Sequence, residues 1–293
     1  MKVSIIIRTY NEERHLASVL DKINAQQAGS LSSEVIIVDS GSVDRTEEIA
    51  KSFGCRILHI AKDDFTFGKS LNYGCAAATG EVLVFVSGHC VPATDAWLVN
   101  LVRPLQDNLC VYSYGRQLGN EGSKFSERQL FKKYYPEVSQ IPQDGCFCNN
   151  ANAALKREVW EINHFNEDLT GLEDMELAKR LVEHGYKIGY VADAPIIHIH
   201  DEGWRSVHRR YEREAIALQD IMPEVHLSFL DFLRYFASAA LLDVGAALGE
   251  KVLLKSLPEI VMFRLTQFWG AYQGNHERRK MSREMKEKYF FPK

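Results

Sequence analysis

The first half of the chain alternates between two hydrophobic periods. Val3–Arg8 is a near-continuous apolar run, the pattern of a strand buried on both faces. Glu13–Gln27 then sets Leu16, Val19, Leu20 and Ile23 at helical spacing. The same exchange repeats: Glu34–Asp39 predicts a strand, Arg45–Phe53 a helix and Cys55–Ile60 a strand. Lys69–Thr79 predicts a helix that Gly80 caps, Glu81–Ser87 a strand, and Asp95–Asp107 a helix led by Thr94 as N-cap. Such alternation implies an α/β fold with a mostly parallel sheet covered by helices on both faces. Beyond it, Leu118–Asp144 predicts a long loop with one short helix at Phe125–Lys133. Asn149–Lys156 predicts a strand, Leu172–His184 a helix, and Lys187–Ala192 and Ile196–His200 two further strands. From Trp204 onward the pattern is almost all helical.

Sheets of this kind bind ligands beyond the carboxyl ends of their strands. That directs attention to Arg8–Glu12, Asp39–Asp44 and Ser87–Pro92, all short, polar segments. The chain has 293 residues and is 46% hydrophobic, which excludes disorder and collagen-like repeats. Its formal charge of -4 excludes the broad basic surface of a nucleic-acid binder. A strand pattern that starts at Met1 predicts no signal peptide, and six scattered cysteines predict reduced thiols in a cytoplasmic protein. Cys146 and Cys148 lack a second pair at zinc spacing.

No apolar stretch reaches about 18 residues without a charge, so no transmembrane helix is predicted. Phe236–Gly249 is interrupted by Asp243 and Ile260–Ala271 by Arg264. His276–Lys293 carries seven Lys/Arg against three Glu, so this tail is +4 and the remainder of the -4 chain is -8. Two readings are open: helices packed on the core with a solvated tail, or peripheral contact with an anionic membrane surface.

Neither a GxGxxG fingerprint nor a GxxxxGK[ST] phosphate loop follows the first strand, which weakens hydride transfer and NTPase chemistry. Asp39 ends the second strand before Ser40, Gly41 and Ser42, where a carboxylate can accept from a base N–H or a ribose hydroxyl. The ordered segments VSIIIRTYNE, EVIIVDSGSVDRT, FGKSLNYGCAAATGEVLVFVS and GLEDMELAKRLVEHGYKIGYVADAPIIHIH together resemble glycosyltransferase family 2. Their spacing and the terminal HxH most resemble its bacterial rhamnosyltransferase-like branch.

The resemblance implies a GT-A fold and inverting transfer of a sugar from a nucleotide-diphosphate donor to a saccharide or lipid-linked saccharide acceptor. Residues 1–203 would form the catalytic domain, with a nucleotide-sugar half at 1–115 and an acceptor half at 116–203. Residues 204–293 would form a helical C-terminal subdomain. The resemblance assigns Thr9, Tyr10, Asn11 and Glu12 to the nucleotide, and Asp39 with Ser40 to the base edge. Asp44 matches a recurrent binding position or simply caps the next helix. Lys69, Asn72 and Ser87 fall near the expected donor, and Asn150 stands among polar residues of a strand otherwise apolar. Glu173 and Asp174 open a helix whose dipole favours carboxylates, with Asp174 as the base and Glu173 orienting hydroxyls.

The fourth strand departs from the family pattern: His89 stands where a cation-binding Asp belongs. Three readings follow. His89, with His198 or His200, holds a divalent cation, Mn²⁺ more readily than Mg²⁺; or it donates directly to phosphate; or the enzyme is degenerate. Trp204 suits sugar stacking or the core, and Arg209 and Arg210 suit a phosphate clamp or a solvated face. The rival functions are a non-catalytic nucleotide-sugar-binding scaffold and a nucleotidyltransferase. The expected location is the cytoplasm, either free or peripheral to the inner face of the cell membrane.

Overall fold

A computed structural model describes residues 1–27 and 29–276. The basic excess at 277–293 lies outside the described residues. The chain forms two compact units. The first comprises Met1–Asn120, Tyr134–Asp168 and Glu173–Ile199; the second gathers Glu121–Lys133, Leu169–Leu172 and the chain from His200 onward. The second unit thus recruits two earlier segments in addition to the C-terminal helices. The strands of the expected acceptor half extend the sheet of the first half.

That sheet has eight strands in the order β3-β2-β1-β4-β7-β6-β8-β5. The strands β1 (Lys2–Thr9), β2 (Ser32–Asp39), β3 (Arg56–His59) and β4 (Val82–Ser87) are mutually parallel. Val3, Ile5, Ile6 and Ile7 are fully buried, which is why β1 reads as an unbroken apolar run. β7 (Asn152–Lys156) runs antiparallel to β4 and to β6 (Tyr112–Leu118). β8 (Ile188–His198) runs parallel to β6, and the short β5 (Cys90–Pro92) pairs antiparallel with β8.

The sequence pattern hides β6. Its Tyr112, Ser113 and Gln117 are polar yet buried, with their polar atoms bonded to Asn150, the Leu101 carbonyl and Asn149. β8 is one strand across Pro195, where two were expected, and it stops at His198.

Helices α1 (Leu16–Asn24), α2 (Thr46–Ser52), α3 (Phe67–Ala77) and α4 (Trp97–Gln106) connect the first strands. Two expected caps are corrected. Thr94 does not cap α4, whose N-cap is Ala96. Gly80 does not cap α3, which closes at Ala78; the Gly80 N–H instead donates to Ser4 Oγ on β1. Thr66 accepts from the Lys69 N–H and starts α3 two residues earlier than the apolar pattern. Later come α5 (Phe125–Tyr134), α6 (Arg157–Ile162) and α7 (Glu173–Glu183).

The second unit is built on α8 (Trp204–Ile221), α9 (Phe229–Gly249) and α10 (Leu253–His276). Ser228 and Asp231 form a capping box at the start of α9. On α10, a side chain at Gly270 or Gly274 would overlap the His208 or Glu212 carbonyl of α8, so these glycines allow the two helices to touch. The expected interruption at Asp243 does not end α9, which is long and apolar enough to cross a membrane. Asp243 turns inward and takes both Arg264 Nε at 2.7 Å and Nη2 at 2.9 Å, so its charge is neutralised inside the helix pair.

This pair is almost wholly buried, and removing one partner strands the other. Asp243→Ala should destabilise the protein by about 3–5 kcal/mol in chemical denaturation, whereas Asp243→Leu combined with Arg264→Met should cost far less. Equal losses in both variants would refute a buried ion pair.

Candidate active site

The carboxyl ends of β1 and β2 interlock. Asp39 is fully buried, and its two oxygens accept from Thr9 Oγ1 (2.9 Å), Ser42 Oγ (2.6 Å) and the N–H groups of Gly41 (2.9 Å) and Ser42 (2.8 Å). Four donors saturate the carboxylate, so it shapes the loop below the surface where a base edge would lie. Ser40 is also buried and donates to the Thr9 carbonyl. Asn11 takes a φ of 57° and accepts from the Val43 N–H, clamping the β1–α1 loop to the β2–α2 loop. Asp44, just ahead of the α2 N-cap Arg45, accepts from Thr46 N, Thr46 Oγ1 and Glu13 N. Tyr10 carries Lys62 over its ring at 4.8 Å.

The adjacent carboxylates Glu173 and Asp174 open α7 and are both buried. Leu172 just before them takes a φ of 57°, a strained conformation for a bulky residue that a functional site can retain. Arg8, at the end of β1, pairs with Glu173 at 3.0 Å and lies over the Phe67 ring. Asp174 accepts from the Asn150 and Met175 N–H groups, one on each oxygen, both at 2.8 Å. Each oxygen therefore keeps a lone pair for a substrate proton. Burial, reinforced by the charge of Glu173, pushes the Asp174 carboxyl up to about 7, against the lowering pull of those N–H groups and Arg8. Asn150 is held through its Oδ1 by the Tyr112 hydroxyl at 2.5 Å. Its buried Nδ2 has no partner among the described residues.

After β4 the chain turns at Gly88, where a side chain would come within 2.8 Å of Glu12. Glu12 fills that space and meets His89 Nδ1 at 2.7 Å. The His89 and His198 rings stack with centroids 5.2 Å apart. His198 Nδ1 lies 2.7 Å from Gln117 Oε1, while Gln117 donates its amide to Asn149. An amide oxygen only accepts, so His198 Nδ1 carries the proton and Nε2 is the basic nitrogen. The potential ligand atoms of His89, Cys90 and His198 all lie within 4.8 Å of one another. Burial, with the Glu12 charge, pushes the Cys90 thiol far up and keeps it protonated; Ser87 bonds it. Two imidazoles remain, nitrogen donors that suit a transition ion such as Mn²⁺ better than Mg²⁺, and Glu12 stands behind His89 as its hydrogen-bond partner.

The family model for glycosyl transferase family 2 matches residues 4–162, more than half of the chain. The chain belongs to that family. Among curated relatives, the O-antigen chain rhamnosyltransferase RfbN of Salmonella typhimurium is 29% identical over 224 residues, covering 72% of this chain and 70% of that protein. An uncharacterised glycosyltransferase of Rickettsia typhi is 38% identical over 187 residues, covering 60% of this chain and 57% of that one. Among solved structures, the mannosyltransferase PcManGT from Pyrobaculum calidifontis, in complex with GDP-Man and Mn²⁺, superposes with a TM-score of 0.59. It is 19% identical and covers 91% of this chain and 87% of that one, a likeness of fold. The glycosyltransferase therefore has the expected GT-A architecture.

Several other expected site residues of this glycosyltransferase have protein partners of their own. Asn72 bonds Phe165, Glu167 and Trp160 and fastens α3 to the segment after α6. Lys69 pairs with Asp64. Both line a groove of about 460 Å³ beside α3, together with Trp160 and Glu167. His200 lies beyond the end of β8, so the expected alternation that aligned it with His198 is corrected: His200 meets Glu127 at 2.7 Å in the second unit. Arg210 pairs there with Glu127 and Glu202 in an ion network. Trp204 stacks under Lys124. Sequence reasoning overlooked Arg8 and Gln117 as partners of the central groups. Arg8 carried a signal, a charge at the end of a buried strand, where it is costly unless paired.

Without Arg8, two buried carboxylates face each other uncompensated. Arg8→Met should destabilise the protein by ~2–4 kcal/mol at pH 8. It should cost less at pH 5.5, because protonation removes the repulsion when the folded pKa is raised. Urea denaturation at the two pH values checks this; a loss independent of pH would refute it.

Proposed function

We propose that the protein transfers a sugar with inversion from a nucleoside-diphosphate donor to a hydroxyl of a saccharide or lipid-linked saccharide acceptor. The reading extends to bacterial surface-polysaccharide or glycolipid synthesis at the cytoplasmic face of the membrane. The observation that carries it is Asp174, buried at the start of α7 and poised near neutrality beside Glu173. Its kinship with an O-antigen chain rhamnosyltransferase supports the pathway.

In this mechanism Asp174 accepts the acceptor's hydroxyl proton as that oxygen bonds the anomeric carbon. The bond to the diphosphate breaks on the opposite side, and the diphosphate leaves with the electron pair. Glu173, fixed by Arg8, orients a hydroxyl, and Asn150 Nδ2 supplies a buried donor for a substrate oxygen. The β1 and β2 loops around Thr9–Glu12 and Asp39–Ser42 receive the nucleotide. His89 and His198 would hold a divalent cation, with Glu12 orienting the His89 ring, and the cation when bound offsets charge on the leaving diphosphate. PcManGT, with its Mn²⁺ and GDP-Man, supports that assignment.

Asp174→Asn should lower transfer about a hundred- to ten-thousand-fold in a panel of nucleotide sugars with a cell-envelope acceptor extract. Nucleoside diphosphate affinity should persist. Normal turnover in the variant would refute the base, and no turnover of any donor by the native protein would favour a binding scaffold. In calorimetry with UDP, GDP and dTDP, Mn²⁺ should raise affinity more than Mg²⁺. His89→Ala should abolish that gain; an unchanged gain would mean that His89 holds no cation.

A further inference from the structure

The second unit presents an apolar surface that its own fold does not cover. In the most apolar 18-residue window of α9, only 17% of residues are buried, so this is no core helix. Leu241, Leu242 and Leu248 are 70%, 75% and 58% exposed, and Leu254 at the start of α10 is 95% exposed. Val261, Met262 and Leu265 continue the exposed face along α10. A monomeric soluble protein rarely leaves so many large apolar side chains side by side in water.

The charges within these helices are arranged to keep that face neutral. Asp243 and Arg264 neutralise each other between α9 and α10 and are 3% and 5% exposed. Charges of both signs stand at its flanks: Arg234 with Asp231 near the start of α9, and exposed Lys251 and Lys255 at the turn into α10 beside Glu250, which pairs with Lys132. Aromatic residues gather at one end, where exposed Phe229 and Trp269 each contact Tyr272, and Tyr235 lies nearby in sequence. Rings with an apolar body and a polar edge suit the boundary between lipid and water. The sequence directly after His276 then adds the +4 excess.

From these observations we infer that the outer face of α9 and α10 docks on an anionic phospholipid bilayer. An apolar face edged by aromatic rings, in a chain whose sequence runs on from it with a +4 excess, complements an anionic lipid surface. The helices lie on the bilayer rather than cross it. Glu250, at the C-cap of α9, is tied to Lys132 and Gln129 of α5, and α10 carries Lys255, Pro258 and Glu259 in its first turns. The inference deepens the proposed function by naming the surface that would meet a lipid-linked acceptor. It rests on that reading only for its purpose, since docking itself needs no sugar transfer.

Flotation of the full chain with vesicles tests it. The protein should float with vesicles of phosphatidylcholine and phosphatidylglycerol, and far less with phosphatidylcholine alone. Raising salt to about 0.5 M should weaken the binding, as charge screening requires. The double variant Leu241→Glu, Leu242→Glu changes exposed positions, so it should fold, keep its nucleoside diphosphate affinity, and bind vesicles about tenfold more weakly or less. Native protein that ignores anionic vesicles would overturn the inference, whatever the transfer assays show. So would a dimer that the double variant dissociates in the absence of lipid, or vesicle-bound protein that alkaline carbonate fails to release.

Discussion

Two ionised carboxylates at consecutive positions repel each other, and burial raises the cost. The Glu173–Asp174 pair is organised around that constraint. Arg8 reaches from the end of β1 to Glu173, and two backbone N–H groups meet Asp174. One of those N–H groups belongs to Asn150, whose side chain is fixed by Tyr112 of β6. The pair thus depends on three parts of the sheet at once: the parallel β1, the antiparallel segment entering β7, and β6. The geometry leaves the two groups with different roles, one held by a cation and one left basic near neutral pH.

The same logic of borrowed support governs the residue that departs from the family pattern. An Asp at position 89 would bring its own negative charge to a cation. His89 brings none, and Glu12 stands against its ring in the space that Gly88 leaves open. His198 arrives from β8 because the short β5 pairs with that strand, setting Cys90 opposite His198. A carboxylate from the loop after β1 thus stands against the imidazole that takes the Asp position after β4.

Much of this was legible in the sequence, for physical reasons. The apolar runs of β1, β2 and β4 announced buried parallel strands, and their polar ends announced where a ligand site would form. The acidic start of α7 was visible as a helix N-terminus. What stayed hidden depended on contacts between distant segments. Asn72 has the chemistry of a ligand contact, yet both ends of its amide are used by the 160–167 segment. Glu12 reads as a ribose contact, and its bond to His89 could not be read from the sequence. β6 escaped notice because its polar atoms are satisfied inside the sheet. The HxH alternation failed because β8 ends at His198, two residues short of His200. In α9, Asp243 looked like an interruption because its partner Arg264 lies 21 residues away.

The central claim is that burial and the Glu173 charge set the basicity of Asp174. The most direct measurement is kcat/KM from pH 5 to 9 for the native enzyme and for Glu173→Gln. Native activity should fall as pH drops through about 7, because a protonated Asp174 cannot accept the acceptor's proton. Removing the neighbouring charge should move that limb to lower pH by about one unit. A native profile that stays flat down to the ordinary aspartate range, or a limb that Glu173→Gln leaves in place, would contradict it.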